Sequence, residues 1–272
     1  MKINAKTKIC AIIGNPVGHS LSPAMHNAGY ENLSLNFAYL AFSIRDVKHV
    51  IAGIRALNFV GVSVTAPHKV RVMSFLDTID STAKNIGAVN TIVNRNGKLI
   101  GYNTDSQGAL KALEEKTTLK NKRVVLIGAG GAARAIAFGL KEKEVNVLIL
   151  NRTLDKVKLL ANSIGADFGD LSRLSEIKNS DILIHATPTG MNPSTDTSIV
   201  PKEYLHKDLL VFDIVYNPKE TKLLRDAKEM GCEIVYGYKM LLYQAVLQFA
   251  LFTKKNAPLA IMEKELLLCL DF

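Results

Sequence analysis

Residues 124–135 read VVLIGAGGAARA, and this stretch decides the fold of the second half of the chain. It places Gly128, Gly130 and Ala133 at G-x-G-x-x-A spacing, after a predicted strand and at the start of a predicted helix. Gly128 allows a tight turn, Gly130 lets the backbone approach a pyrophosphate, and the small Ala133 lets the helix pack close to the strand. The helix N-terminus then presents N–H groups to phosphates. The stretch therefore predicts a dinucleotide-binding βαβ unit.

The end of the next predicted strand indicates which dinucleotide is bound. NAD enzymes commonly place an acid about 20 residues after the glycines, where it binds the ribose 2′-hydroxyl. Here the residues are Asn151, Arg152 and Thr153, and Lys156 follows one helical turn later. Arg152 can form a charge-assisted fork with a 2′-phosphate, and no carboxylate stands at positions 151–153 to repel it. The sequence favours NADP over NAD, although Asp155 lies nearby and Arg152 also fits a solvent-facing surface arginine.

Strand-like and helical segments alternate through the rest of the second half. The predicted strands are residues 123–127, 146–150, 182–185, 209–214 and 233–236, and the predicted helices include 155–164 and 220–230. Gly165 and Gly231 stand where helix C-termini need a left-handed residue. Five strands joined by crossovers predict a parallel, doubly wound sheet of Rossmann type.

The first third of the chain also alternates short apolar runs with helical patterns, which is typical of α/β folds. The predicted strands are residues 8–13, 36–44 and 60–65, with an amphipathic helix over 46–57. The dipeptide Asn96-Gly97 lies between the strand-like stretches 91–93 and 99–102. It supplies the two positive φ angles of a type I′ hairpin. We therefore expect an α/β domain with a mixed sheet.

Two helical segments indicate how the chain divides. Residues 104–116 start with a T-x-x-Q capping box and are expected to bridge two domains. Residues 239–272 are nearly all apolar helix and are expected to pack back on the first domain. We predict one domain of residues 1–105 with 239–272 and a Rossmann-type NADP-binding domain of residues 106–238. The predicted fold class is α/β.

The composition excludes several classes of protein. With 48% hydrophobic and 22% charged residues, it is that of an ordinary soluble globular chain. The apolar run near the amino terminus has only five residues, too few for a signal peptide or a membrane span, which predicts a cytoplasmic protein. The net charge of +9 comes from scattered Lys and Arg. This favours a solvated surface, and after it the attraction of small anionic substrates and cofactors, over nucleic-acid binding.

Three cysteines, Cys10, Cys232 and Cys269, are far apart and match no metal-ligand spacing. An odd count also argues against a disulfide framework. We predict buried thiols and no metal site.

Short polar clusters occur in an order that matches a known family. They are SLSP, VT-x-P-x-K, VNT, NTD, GAGGA, NRT and a final QA. Together, over essentially the whole chain, they resemble the shikimate dehydrogenase family. The resemblance implies reversible, NADP-dependent reduction of 3-dehydroshikimate to shikimate, a step of chorismate and aromatic amino acid biosynthesis. It makes the first domain the substrate-binding domain. We expect a small-molecule substrate, no membrane partner, and a monomer or a homodimer.

The resemblance also assigns roles to individual residues. It makes Lys69 and Asp105 the catalytic pair, which suits the chemistry because ketone reduction needs a positioned proton donor. The residues that it implies for substrate binding are Ser20, Ser22, Thr65, Lys69, Asn90, Asp105, Tyr216 and Gln244. The residues that it implies for cofactor binding are Gly128, Ala129, Gly130, Gly131, Ala132, Asn151, Arg152, Thr153, Lys156, Thr187, Ile214 and Gly237, with Gly190 also expected beside the nicotinamide.

Several of these residues also fit purely structural roles. Lys69 fits an exposed lysine after a proline, and Asp105 fits an acid that favours the dipole of its helix. Ser22 before Pro23 fits an N-cap and first helical residue. Tyr216 fits a turn anchor.

Three alternatives for the function remain open. His19, His26 and His68 offer a rival proton-transfer scheme, because histidine titrates near neutral pH. A quinate/shikimate dehydrogenase that uses NAD would have a closely similar sequence. A non-catalytic NADP-binding regulator would keep the fold but would not require both Lys69 and Asp105.

Overall fold

The computed structural model describes residues 3–270, which form two compact units. The first unit contains the described residues up to Thr104 together with those from Gln244 onward. The second unit runs from Asp105 to Tyr243. The assignment of residues 1–105 with 239–272 and of residues 106–238 as functional domains stays a prediction.

A six-stranded mixed sheet forms the centre of the first unit, in the order β2-β1-β3-β5-β6-β4. Its strands are β1 (Lys8–Gly14), β2 (Phe37–Ser43), β3 (Gly61–Val64), β4 (Thr78–Ile79), β5 (Thr91–Arg95) and β6 (Lys98–Tyr102). The first three pair in parallel, whereas β5 is antiparallel to both β3 and β6. The predicted mixed sheet is confirmed, and Asn96 and Gly97 have the positive φ angles that the predicted hairpin requires.

The helices of the first unit are α1 (Ser22–Asn32), α2 (Val47–Ala56), α3 (Ser81–Ile86) and α9 (Leu259–Leu270). In α2, Val47, Ile51 and Ile54 form the buried face, as the amphipathic pattern predicts. Helix α9 packs on α1. The described residues from Gln244 onward thus belong to the first unit, whereas residues 239–243 of the predicted segment belong to the second.

The start of α1 differs from the sequence-based interpretation of Ser22. The N-cap is Leu21, whose side chain cannot cap, and Ser22 is already helical. The hydroxyl of Ser20 accepts a hydrogen bond from the Ser22 N–H group at 3.3 Å. Ser20 therefore supports the turn that leads into the helix.

The sheet of the second unit is parallel throughout, in the order β12-β11-β10-β7-β8-β9. Its strands are β7 (Arg123–Ile127), β8 (Asn146–Leu150), β9 (Asp167–Gly169), β10 (Ile182–His185), β11 (Leu210–Asp213) and β12 (Glu233–Val235). Its helices are α4 (Asp105–Glu114), α5 (Gly131–Lys141), α6 (Leu154–Ile164), α7 (Lys222–Glu229) and the first part of α8 (Gly237–Thr253). The predicted Rossmann-type sheet is confirmed, with β9 as an additional short strand.

Both faces of this sheet are covered by apolar side chains. Val124 and Leu126 of β7 pack in a cluster with residues of α4, α5 and α6. Val125 and Ile127 point to the other face and pack in a cluster that includes residues of α7. Burial on both faces explains why the strands read as continuous apolar runs rather than as alternating patterns.

The predicted helix ends and thiols are mostly confirmed. Gly165 and Gly231 have φ angles of 73° and 77°, in the left-handed region. Cys10 and Cys232 are buried, whereas Cys269 is only partly buried, and all three are free.

Within residues 3–270, no helix is long and apolar enough to cross a membrane, and no group of His, Cys, Asp and Glu side chains forms a metal site.

His26 lies in the core of the first unit and is fully buried. Its ring stacks on Tyr39, with centroids 4.3 Å apart. The amide of the nearby Gln248 accepts a hydrogen bond from Ser63 and donates one to Thr91. Neither ring nitrogen of His26 has a hydrogen-bond partner among the described residues. Burial removes the charged form from water and lowers the pKa of His26 to about 3. His26 therefore stays neutral at physiological pH, which argues against its role in proton transfer.

We expect His26 to make the first unit sensitive to acid. Its folded pKa lies below the unfolded value of 6.5, so its contribution is complete above pH 6.5 and is lost as the pH falls towards 3. Between pH 7 and pH 5 the wild-type free energy of unfolding should fall by about 2 kcal/mol more than that of His26→Phe, which keeps the ring stack. Urea unfolding at the two pH values measures the difference. Equal losses in the two proteins would contradict the prediction.

Two glycines of the first unit offer a matched test of packing. A Cβ at Gly61 would lie 2.0 Å from Cδ1 of the buried Phe252, whereas a Cβ at Gly53 in α2 would meet no atom within 4 Å. Gly61→Ala should therefore lower the free energy of unfolding by about 1–3 kcal/mol. Gly53→Ala should raise it by about 0.5–1 kcal/mol, because alanine suits a helix interior better than glycine. Urea unfolding of both variants checks the opposite signs.

Candidate active site

In the first unit, the predicted substrate residues Ser20, Thr65 and Lys69 lie in loops that follow the carboxyl ends of two adjacent parallel strands, β1 and β3. The N–H group of Thr65, directly after β3, donates to the Ile13 carbonyl of β1 at 2.9 Å. The N–H group of Asn15, directly after β1, donates to the Ala66 carbonyl at 3.0 Å. These bonds continue the pairing past the ends of the strands. The loops that carry Ser20 and Thr65 therefore leave the sheet side by side.

Lys69 lies in the loop after β3, and its backbone is held on both sides. The Lys69 carbonyl accepts from the Val89 N–H group at 2.8 Å, and the His68 N–H group donates to the Thr65 carbonyl at 3.0 Å. The buried His68 ring places Nε2 3.3 Å from the Ile44 carbonyl. Lys69 itself is partly buried. It is not the fully exposed surface lysine of the alternative interpretation.

Asn90 is fixed by a buried hydrogen-bond network. Its Nδ2 donates to Thr104 Oγ1 at 2.9 Å, and its Oδ1 accepts from the Thr104 N–H group at 2.8 Å and from Thr91 Oγ1 at 2.7 Å. Gln248 donates to Thr91 Oγ1 at 2.9 Å and accepts from Ser63 Oγ at 2.7 Å. Because each bond constrains its neighbour, the Asn90 amide has one orientation.

The sequence did not identify Gln248 or Ser63 as part of this network. The available signal was the spacing of Gln244 and Gln248 on α8, since residues four apart lie on the same face of a helix. Both side chains are buried. The other predicted substrate residues of this unit are Ser22, which is buried at the start of α1, and Ser20 and Thr65, which are partly buried in loops.

Two further predicted substrate residues belong to the second unit. Asp105 is the first residue of α4 and is buried. Tyr216 follows β11, and burial raises the pKa of its hydroxyl. Lys69 and Asp105 therefore lie in different units, and their catalytic pairing stays a prediction.

The glycine-rich turn of the second unit has the geometry of an anion site. Gly128 has a φ angle of +126°, and a Cβ there would lie 2.5 Å from the Ala186 carbonyl oxygen. Gly130 is the N-cap of α5 and gives no side-chain cap, and a Cβ there would meet no atom within 4 Å. The first turn of α5 therefore has no side-chain cap at the positive end of the helix dipole, an arrangement that fits a pyrophosphate. Ala129, Gly131 and Ala132 are partly buried around this turn.

The end of β8 presents two cations. Asn151 Nδ2 donates to the Thr153 carbonyl at 3.1 Å, and Thr153 is the N-cap of α6 without a side-chain cap. Arg152 and Lys156 are exposed, and neither forms an ion pair within the described part of the chain. This arrangement fits a phosphate group, with Asp155 in the same helical turn as the opposing charge.

The remaining predicted cofactor residues lie at the ends of β10 and β11 and at the start of α8. Thr187 and Ile214 each follow one of these strands within two residues. A Cβ at Gly237 would lie 2.5 Å from the Ile214 carbonyl oxygen, so glycine is needed there for the close approach of two backbones. Gly190 has a φ angle of +81°. The backbone therefore explains the glycines at 190 and 237 even without a cofactor.

Models of three protein domains match consecutive segments of the chain. They are the shikimate dehydrogenase substrate binding domain over residues 12–92, shikimate / quinate 5-dehydrogenase over residues 110–224, and the shikimate 5′-dehydrogenase C-terminal domain over residues 237–267.

Individual proteins are similar over nearly their whole length. Shikimate dehydrogenase (NADP(+)) of Methanobrevibacter smithii is 47% identical, with 99% of each chain covered. A crystal structure of shikimate dehydrogenase in complex with NADP+ has a TM-score of 0.95 and 44% identity, covering 98% of this chain and 96% of the other. Shikimate 5-dehydrogenase of Thermus thermophilus, in complex with NADP(H) and shikimate, has a TM-score of 0.91 and 35% identity, covering 97% and 100%. The chain belongs to the shikimate dehydrogenase family.

Proposed function

We propose that the protein is an NADP-dependent shikimate dehydrogenase that interconverts 3-dehydroshikimate and shikimate. The observation that carries this proposal is Lys69, which a hydrogen-bonded loop holds partly buried beyond the carboxyl end of β3. A lysine held in this way can place its ammonium group at one point of a substrate. The relatives named for this activity support the same reaction. The proposed location is the cytoplasm, with a monomer or a homodimer as the proposed assembly.

The residues of the second unit fit the cofactor. The N–H groups at the start of α5 hold the pyrophosphate, and Arg152 and Lys156 hold the 2′-phosphate. Thr187, Ile214 and the two glycines at 190 and 237 border the nicotinamide. When bound, NADPH would supply the hydride for reduction, and NADP+ would accept a hydride in the reverse direction.

The predicted substrate-binding residues have two roles: some bind the substrate, and others take part in proton transfer. Ser20 and Ser22 donate hydrogen bonds to the carboxylate, whereas Thr65, Asn90 and Gln244 bind ring hydroxyls. In reduction, Lys69 Nζ donates a proton to the carbonyl oxygen, and in oxidation it accepts the hydroxyl proton. Asp105 orients the ammonium group. A site with several fixed polar groups rejects analogues that leave these groups unpaired.

The NAD-dependent quinate/shikimate alternative differs in the cofactor and in one substrate. An acid at the end of β8 would favour a ribose 2′-hydroxyl, but Asn151 occupies that position and bonds to the Thr153 carbonyl. A non-catalytic regulator would bind NADP without turnover.

Incubating the purified protein with shikimate or quinate and with NADP+ or NAD+ separates these functions. We expect the absorbance of reduced nicotinamide to rise fastest with shikimate and NADP+, and no rise with any pair would exclude a dehydrogenase.

We expect Lys69→Ala to lower kcat by about 10²–10⁴, the usual effect of removing a general acid. Shikimate binding should change little, because other side chains hold the carboxylate and the ring hydroxyls. Steady-state kinetics and shikimate titration measure the two effects. Arg71→Ala, in the short 3₁₀ helix that follows the loop, is the control because Arg71 is exposed and has no assigned role. A Lys69→Ala variant that retains most of its activity would exclude proton transfer by Lys69.

Arg152→Gln tests the 2′-phosphate site. Loss of a hydrogen bond to a charged group should raise KM for NADP+ by about ten- to a hundredfold, with little change in KM for NAD+. Lys158→Gln is the control, because Lys158 is an exposed lysine of α6, the helix that follows Arg152, and has no assigned role. Equal effects of the two substitutions would show that only the general positive charge of this surface attracts NADP+.

A further inference from the structure

His185 and Asp213 form a buried pair where two central strands of the second unit end. They are the last residues of β10 and β11 and are register partners in the parallel sheet, so their side chains lie on the same face. Their exposed fractions are 1% and 0%. The distance from His185 Nδ1 to Asp213 Oδ1 is 3.0 Å. Neither residue was predicted from the sequence.

The surroundings of Asp213 determine the direction of this hydrogen bond. Its Oδ1 accepts from the Val215 N–H group at 3.0 Å, and its Oδ2 accepts from Thr221 Oγ1 at 2.7 Å. An ionised carboxylate is an acceptor only, and both of these partners are donors. His185 Nδ1 therefore carries the hydrogen of the bond to Asp213. This bond fixes the plane of the imidazole ring and turns Nε2 away from Asp213.

The other ring nitrogen contacts a predicted cofactor residue. His185 Nε2 lies 2.6 Å from Thr187 Oγ1. Thr187 Oγ1 also lies 3.2 Å from Thr189 Oγ1 and accepts from the Thr189 N–H group at 3.3 Å. The contacts thus run from the rigid end of β11, through His185, into the loop of residues 186–190. Loops at this edge of a doubly wound sheet border the bound dinucleotide.

We propose that His185 is a positioning residue for the nicotinamide end of NADP. It holds the Thr187 side chain, and with it the loop of residues 186–190, in the conformation that the cofactor meets. Asp213 acts by holding the ring of His185. The inference rests on the proposed function, because it requires NADP at this edge of the sheet.

Two substitutions at His185 separate positioning from stability. In His185→Asn the amide nitrogen takes the place of Nδ1, which keeps a donor for Asp213 but is too short to reach Thr187. In His185→Gln the amide reaches towards Thr187, but Asp213 loses its ring partner. A purely structural role predicts that the variant with the larger loss of stability also has the larger loss of binding. If His185 positions Thr187, His185→Asn should lose more NADP+ affinity than His185→Gln, although His185→Gln loses more stability.

The measurement is calorimetric titration with NADP+ and with 2′,5′-ADP, which lacks the nicotinamide. For His185→Asn we expect the Kd for NADP+ to rise by about tenfold, while the Kd for 2′,5′-ADP stays within about twofold of wild type. Its thermal stability should remain near that of wild type. For His185→Gln we expect a lower Tm but a smaller rise in the Kd for NADP+.

A double-mutant cycle tests whether the effect passes through Thr187. Thr187→Val should weaken NADP+ binding in the wild type but add little in His185→Asn, because the contact between the two residues is already lost. Wild-type affinity for NADP+ in His185→Asn, or an equal loss for 2′,5′-ADP, would overturn the positioning role alone. Failure of the wild-type protein to bind NADP+ would overturn the proposed function as well.

Discussion

The parallel pairing of central strands is the constraint on which both candidate binding regions depend. Adjacent parallel strands end at the same edge of a sheet, so the loops that follow them are crowded together. The crowding is measurable at two glycines. A Cβ at Gly14, the end of β1, would lie 2.3 Å from Thr65 Cγ2, and one at Gly128, just after β7, would lie 2.5 Å from the Ala186 carbonyl oxygen. Side chains from distant parts of the sequence therefore meet at these edges without any long loop.

In each unit, a buried network of polar side chains connects the predicted ligand-binding residues to the sheet. In the first unit the network includes Asn90 and Gln248, and in the second it includes His185 and Asp213. An unpaired polar group in a protein interior is costly, so such a network is stable only when nearly all of its bonds are made. That requirement selects one arrangement of the side chains. The polar residues thus provide fixed geometry, whereas the apolar residues provide most of the free energy of folding.

The sequence predicted features that depend on local chemistry and missed those that depend on strand register. The strands of the second unit were found from their apolar runs and the turn from its glycines, but β9 has only three residues and gives no periodic signal. Lys69, Asn90 and Arg152 lie in recognisable motifs, although their roles stay predictions. His185 and Asp213 are 28 residues apart, and their contact follows only from the pairing of β10 with β11.

The net charge of the chain could not identify its ligand, because it counts cations that are paired with a nearby acid together with cations that are not. In the second unit, Lys120 pairs with Glu144, and Arg173 pairs with Asp167. Such exposed pairs contribute little to stability, but they cancel each other's field. Arg152 and Lys156 have no such partners among residues 3–270, and they flank the uncapped N-terminus of α6. An anion there would meet two cations and a helix dipole, with Asp155 as the one opposing charge in the first turn of the helix. The proposed selectivity for a 2′-phosphate therefore depends on where cations are left without an acidic partner, and not on the total charge.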